Sequence, residues 1–427
     1  MIRRLSVPPF EALAPLLPRR AGSDPGTRDT VAGIIDDVLL RGDEAVREYT
    51  RRFDGVDLAP SEWELPSVRW QEALERVDPG LRAALAQAVD RVREYHRHQR
   101  EEGFRLASDD GTLVGMKVIP LDRVGLYVPG GKASYPSSVV MNAVPAVVAG
   151  VQEIVAVVPP QGVTDLVLAA CALSGVTRIF RIGGAQAVAA LAFGTPTVPR
   201  VDKVVGPGNR WVAEAKRQVV GQVGIDMIAG PTEVLIIADG SASPDRIAAD
   251  LIAQAEHDED ATSWCVTTEA SVADAIPAAL KQALAGAPRA AIARAALERN
   301  GLVILVPSMR EAIEVANRRA PEHLEILAQG AERIATAIRH AGAIFLGDHT
   351  PEPVGDYLAG PSHVLPTGGT ARYASPLGVY DFVKRTSIIR YSPERLAADA
   401  GAIIALAEAE GLYGHAAAVR ARSRGAD

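Results

Sequence analysis

Apolar runs of strand length alternate with alanine-rich stretches of helical periodicity between about residue 120 and residue 350. The runs form two series, namely residues 124–128, 153–158, 178–182 and 201–205, then residues 233–238, 263–267, 302–306 and 342–346. Mainly apolar runs of this length, separated by helices and punctuated by glycine or proline, are typical of parallel strands buried on both faces. The pattern therefore predicts an α/β protein with two parallel sheets.

The flanking segments predict smaller, mainly helical elements. Residues 25–105 are mostly helical and charged, and His96 and His98, two apart on a helix, diverge and are assigned to a solvated face. Residues 393–410 predict another helix ahead of a glycine-marked segment. The predicted division is an N-terminal extension (1–24), a first α/β domain (25–126 with 234–376), a second α/β domain (127–233) and a small C-terminal domain (377–427).

The composition indicates a packed protein that acts on a small molecule. The 427 residues are 48% hydrophobic and 23% charged, and no apolar segment approaches a membrane span. A net charge of −7 disfavours nucleic acid as the main partner. The first ten residues carry two arginines without an apolar core, and the two cysteines fit a reducing compartment. We therefore expect a cytoplasmic protein with a small-molecule substrate.

Residues 254–260 (QAEHDED) place one of only eight histidines among carboxylates and an amide. The SPDR segment at residues 243–246 is typical of a helix N-cap with proline in the first turn. On that helix, Gln254 and His257 are three residues apart and project in nearly the same direction. The pair is a candidate divalent-metal site. A solvated acidic helix end fits the same spacing, and neither Cys-x-x-Cys nor His-Glu-x-x-His accompanies it.

Three glycine-rich turns follow strands of the first series, at residues 129–131, 183–187 and 206–209. None forms Gly-x-Gly-x-x-Gly with an acidic residue about twenty positions on, so the dinucleotide fingerprint is incomplete. Backbone amides freed by glycine at a helix N-terminus still bind anions, as in the helix expected to open at Gly183 and Gly184. Tight strand-to-helix turns explain the same glycines equally well.

Seven motifs, in order along nearly the whole chain, resemble those of the histidinol dehydrogenase family. They are GLYVPGG (125–131), GGAQA (183–187), GPGN (206–209), DMIAGPTE (226–233), QAEHD (254–258), APEHL (320–324) and GDYLAGPSH (355–363). The resemblance implies a zinc- and NAD-dependent enzyme that oxidises L-histidinol to L-histidine through L-histidinaldehyde, in the last steps of histidine biosynthesis. The expected fold is two Rossmann-like α/β domains with small N-terminal and C-terminal helical elements.

By this resemblance, one zinc ion per subunit is held by Gln254, His257, Asp356 and His415. Such a mixed oxygen and nitrogen set suits a catalytic rather than a structural zinc. His363, although nearer to Asp356 along the chain, is expected to support the site or the fold. The family also implies a homodimer in which the C-terminal tail reaches the neighbouring subunit's site.

The pair Glu322 and His323 is similar to the family's catalytic acid/base unit. An imidazole can remove an alcohol proton near neutral pH, and a carboxylate can activate water for addition to an aldehyde. Apart from the resemblance, a Pro-Glu helix start beside a buried histidine explains the same residues.

The resemblance also implies the binding residues. The NAD contacts are Tyr127, Gln186 and Asn209, each within or beside a glycine-rich turn. Thr232 stands where serine is expected in much of the family, which keeps the hydroxyl and adds a methyl group. The substrate contacts are Thr232, Gln254, His257, His323, Asp356, Glu410 and His415.

Three alternatives remain open to the sequence. A related zinc- and NAD-dependent dehydrogenase could act on another small alcohol, such as a sulfonated diol. A non-catalytic metal- or nucleotide-binding protein would not need Glu322, His323 and Asp356, which are all present. A thiohemiacetal route would need a reactive cysteine, whereas Cys171 and Cys265 lie in apolar segments where thiols are inert.

Overall fold

A computed structural model describes residues 2–6, 24–130 and 135–423. The described residues form two compact units: a large unit within Met1–Gln99 and Asp122–Phe382, and a small unit within Arg100–Leu121 and Val383–Asp427. The fold is mixed α/β with parallel sheets. Of the helices in the described ranges, none has both the length and the hydropathy needed to cross a membrane.

The strands are β1 (Arg3–Ser6), β2 (Phe104–Ala107), β3 (Leu113–Pro120), β4 (Arg123–Tyr127), β5 (Glu153–Val157), β6 (Arg178–Phe180), β7 (Lys203–Val205), β8 (Gly224–Ile225), β9 (Glu233–Ala238), β10 (Thr262–Thr267), β11 (Leu302–Leu305), β12 (His323–Leu327), β13 (Ala343–Leu346) and β14 (Val383–Arg390). The helices are α1 (Pro25–Arg41), α2 (Asp43–Asp54), α3 (Val68–Arg76), α4 (Pro79–Arg97), α5 (Pro136–Ala149), α6 (Asp165–Ser174), α7 (Gly184–Phe193), α8 (Arg210–Val219), α9 (Pro244–Ala255), α10 (Ala270–Ala283), α11 (Ala290–Asn300), α12 (Met309–Arg319), α13 (Ala331–Ala335), α14 (Glu352–Tyr357), α15 (Pro393–Ala409) and α16 (Tyr413–Ser423).

A six-stranded parallel sheet in the large unit has the order β1-β11-β10-β9-β12-β13. Every residue of β9 is buried, as expected for a central strand with helices on both faces. The second series of apolar runs is therefore confirmed as one sheet. Strand β1 pairs with β11, so the segment predicted as an extension adds an edge strand to this sheet.

A five-stranded parallel sheet in the same unit has the order β6-β5-β4-β7-β8. It confirms the first series of apolar runs. Strands β5, β4 and β7 are adjacent in the sheet, so the loops after these strands leave from one edge. Gly206, after β7, has φ 110°, and a Cβ there would lie 2.2 Å from the carbonyl oxygen of Tyr127. Only glycine fits so close an approach of two backbones.

The small unit contains an antiparallel sheet of order β14-β3-β2 and the packed helices α15 and α16. Residues 104 and 105, predicted as the end of a mostly helical region, belong to β2 instead. Strand β14 pairs with β3 along its whole length, a long-range antiparallel contact that local periodicity does not predict.

The expectation of a solvated face is wrong for one of the two neighbouring histidines of α4. His96 is 0% exposed, and its Nδ1 lies 2.7 Å from the carbonyl oxygen of Val92. Leu85, Val89 and Val92 are buried on the same helix, so His96 continues the apolar stripe at helical spacing. His98 is exposed, as expected.

Candidate functional site

The candidate site lies at the amino ends of two neighbouring strands in the six-stranded sheet. Strand β9 begins at Glu233 and β12 begins at His323, and these strands pair in parallel with His323 opposite Val234. Helix α9 runs back across the sheet after β9, so its carboxyl end returns to the same edge. Residues 232–233, 254 and 322–323 meet there through hydrogen bonds, although they are far apart in sequence.

Glu322 is a buried carboxyl group that accepts two hydrogen bonds on one oxygen. The Thr232 hydroxyl donates to Oε2 at 2.6 Å, and the Glu233 backbone N–H donates to the same atom at 2.9 Å. Burial raises the pKa of Glu322 to about 8, although the two hydrogen bonds oppose the shift. A carboxyl group with this pKa exchanges protons near neutral pH, which suits general acid/base chemistry.

His323 is buried and held in one tautomer by its acceptors. Its Nδ1 lies 3.1 Å from the Glu233 carbonyl oxygen and 3.1 Å from Gln254 Oε1. Because both partners are acceptors, we assign the proton to Nδ1 and the free lone pair to Nε2. Burial lowers the pKa of His323 to about 4, which keeps the imidazole neutral. The ring therefore offers Nε2 as a proton acceptor.

Gln254 and Thr232 close this network. The Gln254 Nε2 donates to Thr232 Oγ1 at 2.8 Å, while the amide oxygen faces His323. Gln254 is 0% exposed, so its amide orientation is set by these two contacts. Thr232, expected to contact substrate, links Gln254 to Glu322 in this structure.

His257, Glu352 and Asp356 form a group whose donor atoms all lie within 4.8 Å of one another. The Nδ1 of His257 is 2.9 Å from the carbonyl oxygen of Ala253, which leaves Nε2 available as a ligand atom. Glu352 Oε2 is buried without a hydrogen-bond partner among the described residues. Imidazole nitrogen with carboxylate oxygens suits zinc and other divalent metals, so these residues fit a metal ion.

Glu352 is a candidate site residue that the sequence motifs missed. It lies four residues before Asp356 on α14, a spacing that places two carboxylates on one helix face. This spacing of four residues is the feature of the sequence that could have identified Glu352 as a partner of Asp356. Glu352 Oε1 is also 3.8 Å from His323 Nε2. This carboxyl group therefore lies between the possible metal ligands His257 and Asp356 and the pair Glu322 and His323. Burial and the neighbouring carboxylates raise its pKa.

Two cavities of the large unit meet at Asp356. One, of about 460 Å³, is lined by His323, His363 and Asp356. The other, of about 620 Å³, is lined by His257, Glu352 and Asp356 together with an apolar wall from α4. Both have the size of small-molecule sites. His363, assigned a supporting role, thus lines the same cavity as His323.

Two of the predicted metal and substrate residues, Glu410 and His415, belong to the small unit. Glu410 follows the end of α15, His415 lies in the first turn of α16, and both are exposed. Of the predicted zinc ligands, the structure brings His257 and Asp356 into one group and places Gln254 in the network around His323. The role of His415 stays a prediction.

The predicted NAD residues lie at the end of one strand of the five-stranded sheet, β4, and after two others, β6 and β7. The Tyr127 hydroxyl accepts a hydrogen bond from the Gly184 N–H at 3.1 Å. Gln186 is 0% exposed, and both its amide oxygen and its amide nitrogen lack partners among the described residues. Two unsatisfied polar atoms in a protein interior are costly unless a ligand satisfies them.

Asn209 caps α8 through its side-chain oxygen, at 3.0 Å from the Trp211 N–H. Residues 131–134, which include Gly131 of the first turn, lie outside the described ranges.

The two cysteines are unsuited to a reaction that needs a thiolate. Cys171 and Cys265 are buried, and burial raises the pKa of each thiol to about 12. A thiolate is needed for attack on an aldehyde, so neither residue is suited to a covalent route.

Parallel α/β sheets with a buried carboxyl–imidazole pair, beside an imidazole and carboxylates that fit a metal ion, define the class: an α/β protein with a candidate acid/base and metal site. The sequence model described as "Histidinol dehydrogenase" matches residues 17–423. The chain belongs to the histidinol dehydrogenase family.

Named relatives support this membership along nearly the whole chain. Histidinol dehydrogenase from Pseudomonas syringae is 54% identical over 421 residues, covering 97% of this chain and 94% of that protein. The one from Syntrophotalea carbinolica is 52% identical over 413 residues, covering 96% of each. The crystal structure of histidinol dehydrogenase from Elizabethkingia anophelis is 32% identical, with a TM-score of 0.92, covering 99% of this chain and 98% of that chain. The alternative of a sulfonated-diol dehydrogenase finds no support in these comparisons.

Proposed function

We propose that the chain catalyses the NAD-dependent, four-electron oxidation of L-histidinol to L-histidine through L-histidinaldehyde. Family membership supports the reaction. The residue assignments rest on the buried pair Glu322 and His323, whose side chains both form hydrogen bonds with the backbone of Glu233. A group of possible metal ligands lies beside this pair. Because the reaction releases protons at both oxidations, it needs groups that accept them.

In the first oxidation, His323 Nε2 takes the hydroxyl proton of the substrate. Its Nδ1 proton stays with Glu233 and Gln254, so the ring can accept a proton without changing its orientation. In the second oxidation, the Glu322 carboxylate takes a proton from the water that adds to the aldehyde. Thr232 and the Glu233 N–H keep that carboxylate in place throughout.

Zinc and NAD are the proposed cofactors. When bound, NAD would supply the hydride acceptor for both oxidations, and zinc, one per subunit, would supply an anchor for the imidazole and amine of L-histidinol. Tyr127, Gln186 and Asn209 would hold NAD, with the unsatisfied amide of Gln186 as the supporting observation. Gln254, His257, Asp356 and His415 would hold zinc, with Glu352 beside them. The same ligands, with Thr232, His323 and Glu410, would contact the substrate.

The proposed arrangement is a cytoplasmic homodimer with shared sites. Its chain comprises two Rossmann-like α/β domains, 25–126 with 234–376 and 127–233, an extension over 1–24 and a C-terminal domain over 377–427. The two separate parallel sheets and the exposure of Glu410 and His415 are consistent with it. The pairing of β3 with β14 favours moving residues 100–121 to the C-terminal domain.

The direct test is the number of NADH molecules formed per L-histidinol by purified protein, before and after zinc chelation. We expect two equivalents, lost on chelation and restored by added zinc. One equivalent in the untreated protein would contradict the four-electron reaction, and full activity in verified metal-free protein would contradict the role of zinc. A sulfonated diol serves as the control substrate and should give no NADH.

Sharing of sites is tested by mixing two inactive variants, His257→Ala and His415→Ala, and refolding or co-expressing them. If the tail of one chain completes the other's site, a heterodimer has one intact site, so a random mixture should regain about a quarter of wild-type activity. Verified heterodimers without activity would exclude sharing. Mixing His257→Ala with Asp356→Ala is the matched control and should recover nothing, because each heterodimer site then lacks one ligand.

A further inference from the structure

A single residue, Glu233, contacts both members of the acid/base pair through its backbone. Its N–H donates to Glu322 Oε2 at 2.9 Å, and its carbonyl oxygen accepts from His323 Nδ1 at 3.1 Å. These two groups belong to the peptide units on either side of one α-carbon. The position and orientation of Glu233 therefore set the position of the carboxylate and the tautomer of the imidazole together.

The side chain of Glu233 is anchored in the protein interior. Its carboxylate forms an ion pair with the Arg319 guanidinium and accepts a hydrogen bond from the Gly368 N–H at 3.0 Å. Glu233 is 2% exposed and Arg319 is 8% exposed. The guanidinium carbon also lies 4.8 Å from the centre of the Trp264 ring, which fixes the other partner of the ion pair.

Arg319 is connected by the chain to the same pair. It is the last residue of α12, and only Ala320 and Pro321 separate it from Glu322. Ala320 is fully buried with φ 49°, a left-handed conformation that is unfavourable for alanine and must be imposed by its surroundings. The ion pair therefore links two segments. One is the turn that leads from Arg319 to Glu322 and His323, and the other is the start of β9, where Glu233 forms hydrogen bonds with both of these side chains.

Stability alone is a weak reason for such an ion pair. Removing two charges from water costs free energy, and a buried pair is often replaced by apolar residues without loss of stability. A pair with fixed geometry does constrain the atoms around it. Small displacements of positioning groups have large effects on rate, about a hundredfold for about 1 Å.

We propose that the Glu233–Arg319 ion pair is a positioning device for the proposed acid/base pair, acting through the two peptide groups of Glu233. This role rests on the proposed oxidation of L-histidinol. Neither residue touches the reacting atoms. Both act by holding the Glu322 carboxylate and the Nδ1–H tautomer of His323.

A double-mutant cycle separates positioning from general support of the fold. Arg319→Met keeps most of the side-chain volume against Trp264 and removes the charge. We expect it to lower kcat about ten- to a hundredfold in the wild-type background and less than about twofold in a His323→Asn background, because the first oxidation then limits the rate and the ion pair has no imidazole to position for that step. The KM for L-histidinol and the zinc content should change little, and Arg319→Lys should restore part of the rate. Equal losses in both backgrounds would overturn the proposal.

A second measurement does not depend on activity. In zinc-loaded protein labelled with ¹⁵N-histidine, the His323 signals, assigned by difference from His323→Asn, should report the Nδ1–H tautomer in the wild type. They should report a mixture of tautomers in Arg319→Met. An unchanged tautomer would also overturn the proposal, whereas wild-type protein that fails to oxidise L-histidinol would contradict the proposed function instead.

Two further variants control for misfolding and for non-specific effects of replacing an arginine. The neutral double variant Glu233→Gln, Arg319→Met leaves no isolated buried charge, and it is used if Arg319→Met alone does not fold. It should show the same coupling to His323. Arg318→Met is the matched control, since Arg318 is the neighbouring residue on α12 and its ion pair with Glu314 is exposed to solvent. It should leave kcat and the His323 tautomer unchanged.

Discussion

Replacement of His323 by asparagine is expected to lower the turnover of L-histidinol by about a hundred- to ten-thousandfold, the usual contribution of a positioned general base. The asparagine amide can still donate a hydrogen bond to the Glu233 carbonyl oxygen, so the start of β12 should keep its place. It cannot take a proton from an alcohol. Both NADH-forming steps should slow, because the aldehyde forms only after the first oxidation.

Steady-state NADH formation and metal analysis of the same sample check this expectation. Zinc content should stay at the wild-type level, since His323 is not among the proposed ligands. His98→Asn is a suitable control, because His98 is exposed on the surface and should tolerate the same change without loss of rate. Normal turnover in His323→Asn would refute the role of the imidazole.

Replacement of Glu322 by glutamine is expected to stop the reaction after the first oxidation. The amide oxygen can still accept hydrogen bonds from Thr232 and the Glu233 N–H, so the shape of the site is kept. Glutamine cannot take a proton from water, and addition of water to the aldehyde should slow by about a hundred- to ten-thousandfold. The variant should form one NADH per L-histidinol in a fast phase, and L-histidinaldehyde should be trapped by an added hydrazine.

The pH dependence of the second oxidation is an independent test of the role of Glu322. Burial raises the pKa of Glu322 to about 8, and the carboxylate is the form that acts as base. The rate of the second oxidation should therefore increase as the pH rises through about 8, and this dependence should be absent in Glu322→Gln. Glu75→Gln, on the exposed face of α3, should retain two NADH per substrate and the wild-type pH profile. Two equivalents formed at the wild-type rate in Glu322→Gln would contradict its role.

Several elements of the fold and site follow from local sequence alone. The mainly apolar runs of residues 153–158 and 233–238 form β5 and β9, because apolar runs of this length between helices are typical of strands buried on both faces of a parallel sheet. The proline-marked start of α9 is also confirmed at Pro244. In these cases the neighbours that matter lie within about one helical turn or one strand.

Other elements were decided by contacts between residues distant in the chain. Glu352 lies beside His257 because α14, which follows β13, brings the chain back to the edge of the sheet where α9 ends. Arg319 contacts Glu233 at the same edge, although the two residues are 86 positions apart in the chain. His96 was buried rather than solvated because its helix packs on that side. The pattern of the chain thus determined most strands of the two parallel sheets, and its motifs supplied most of the candidate residues. Only the tertiary structure decided which polar side chains share a site, because hydrogen bonds and ion pairs depend on distances in space that periodicity does not record.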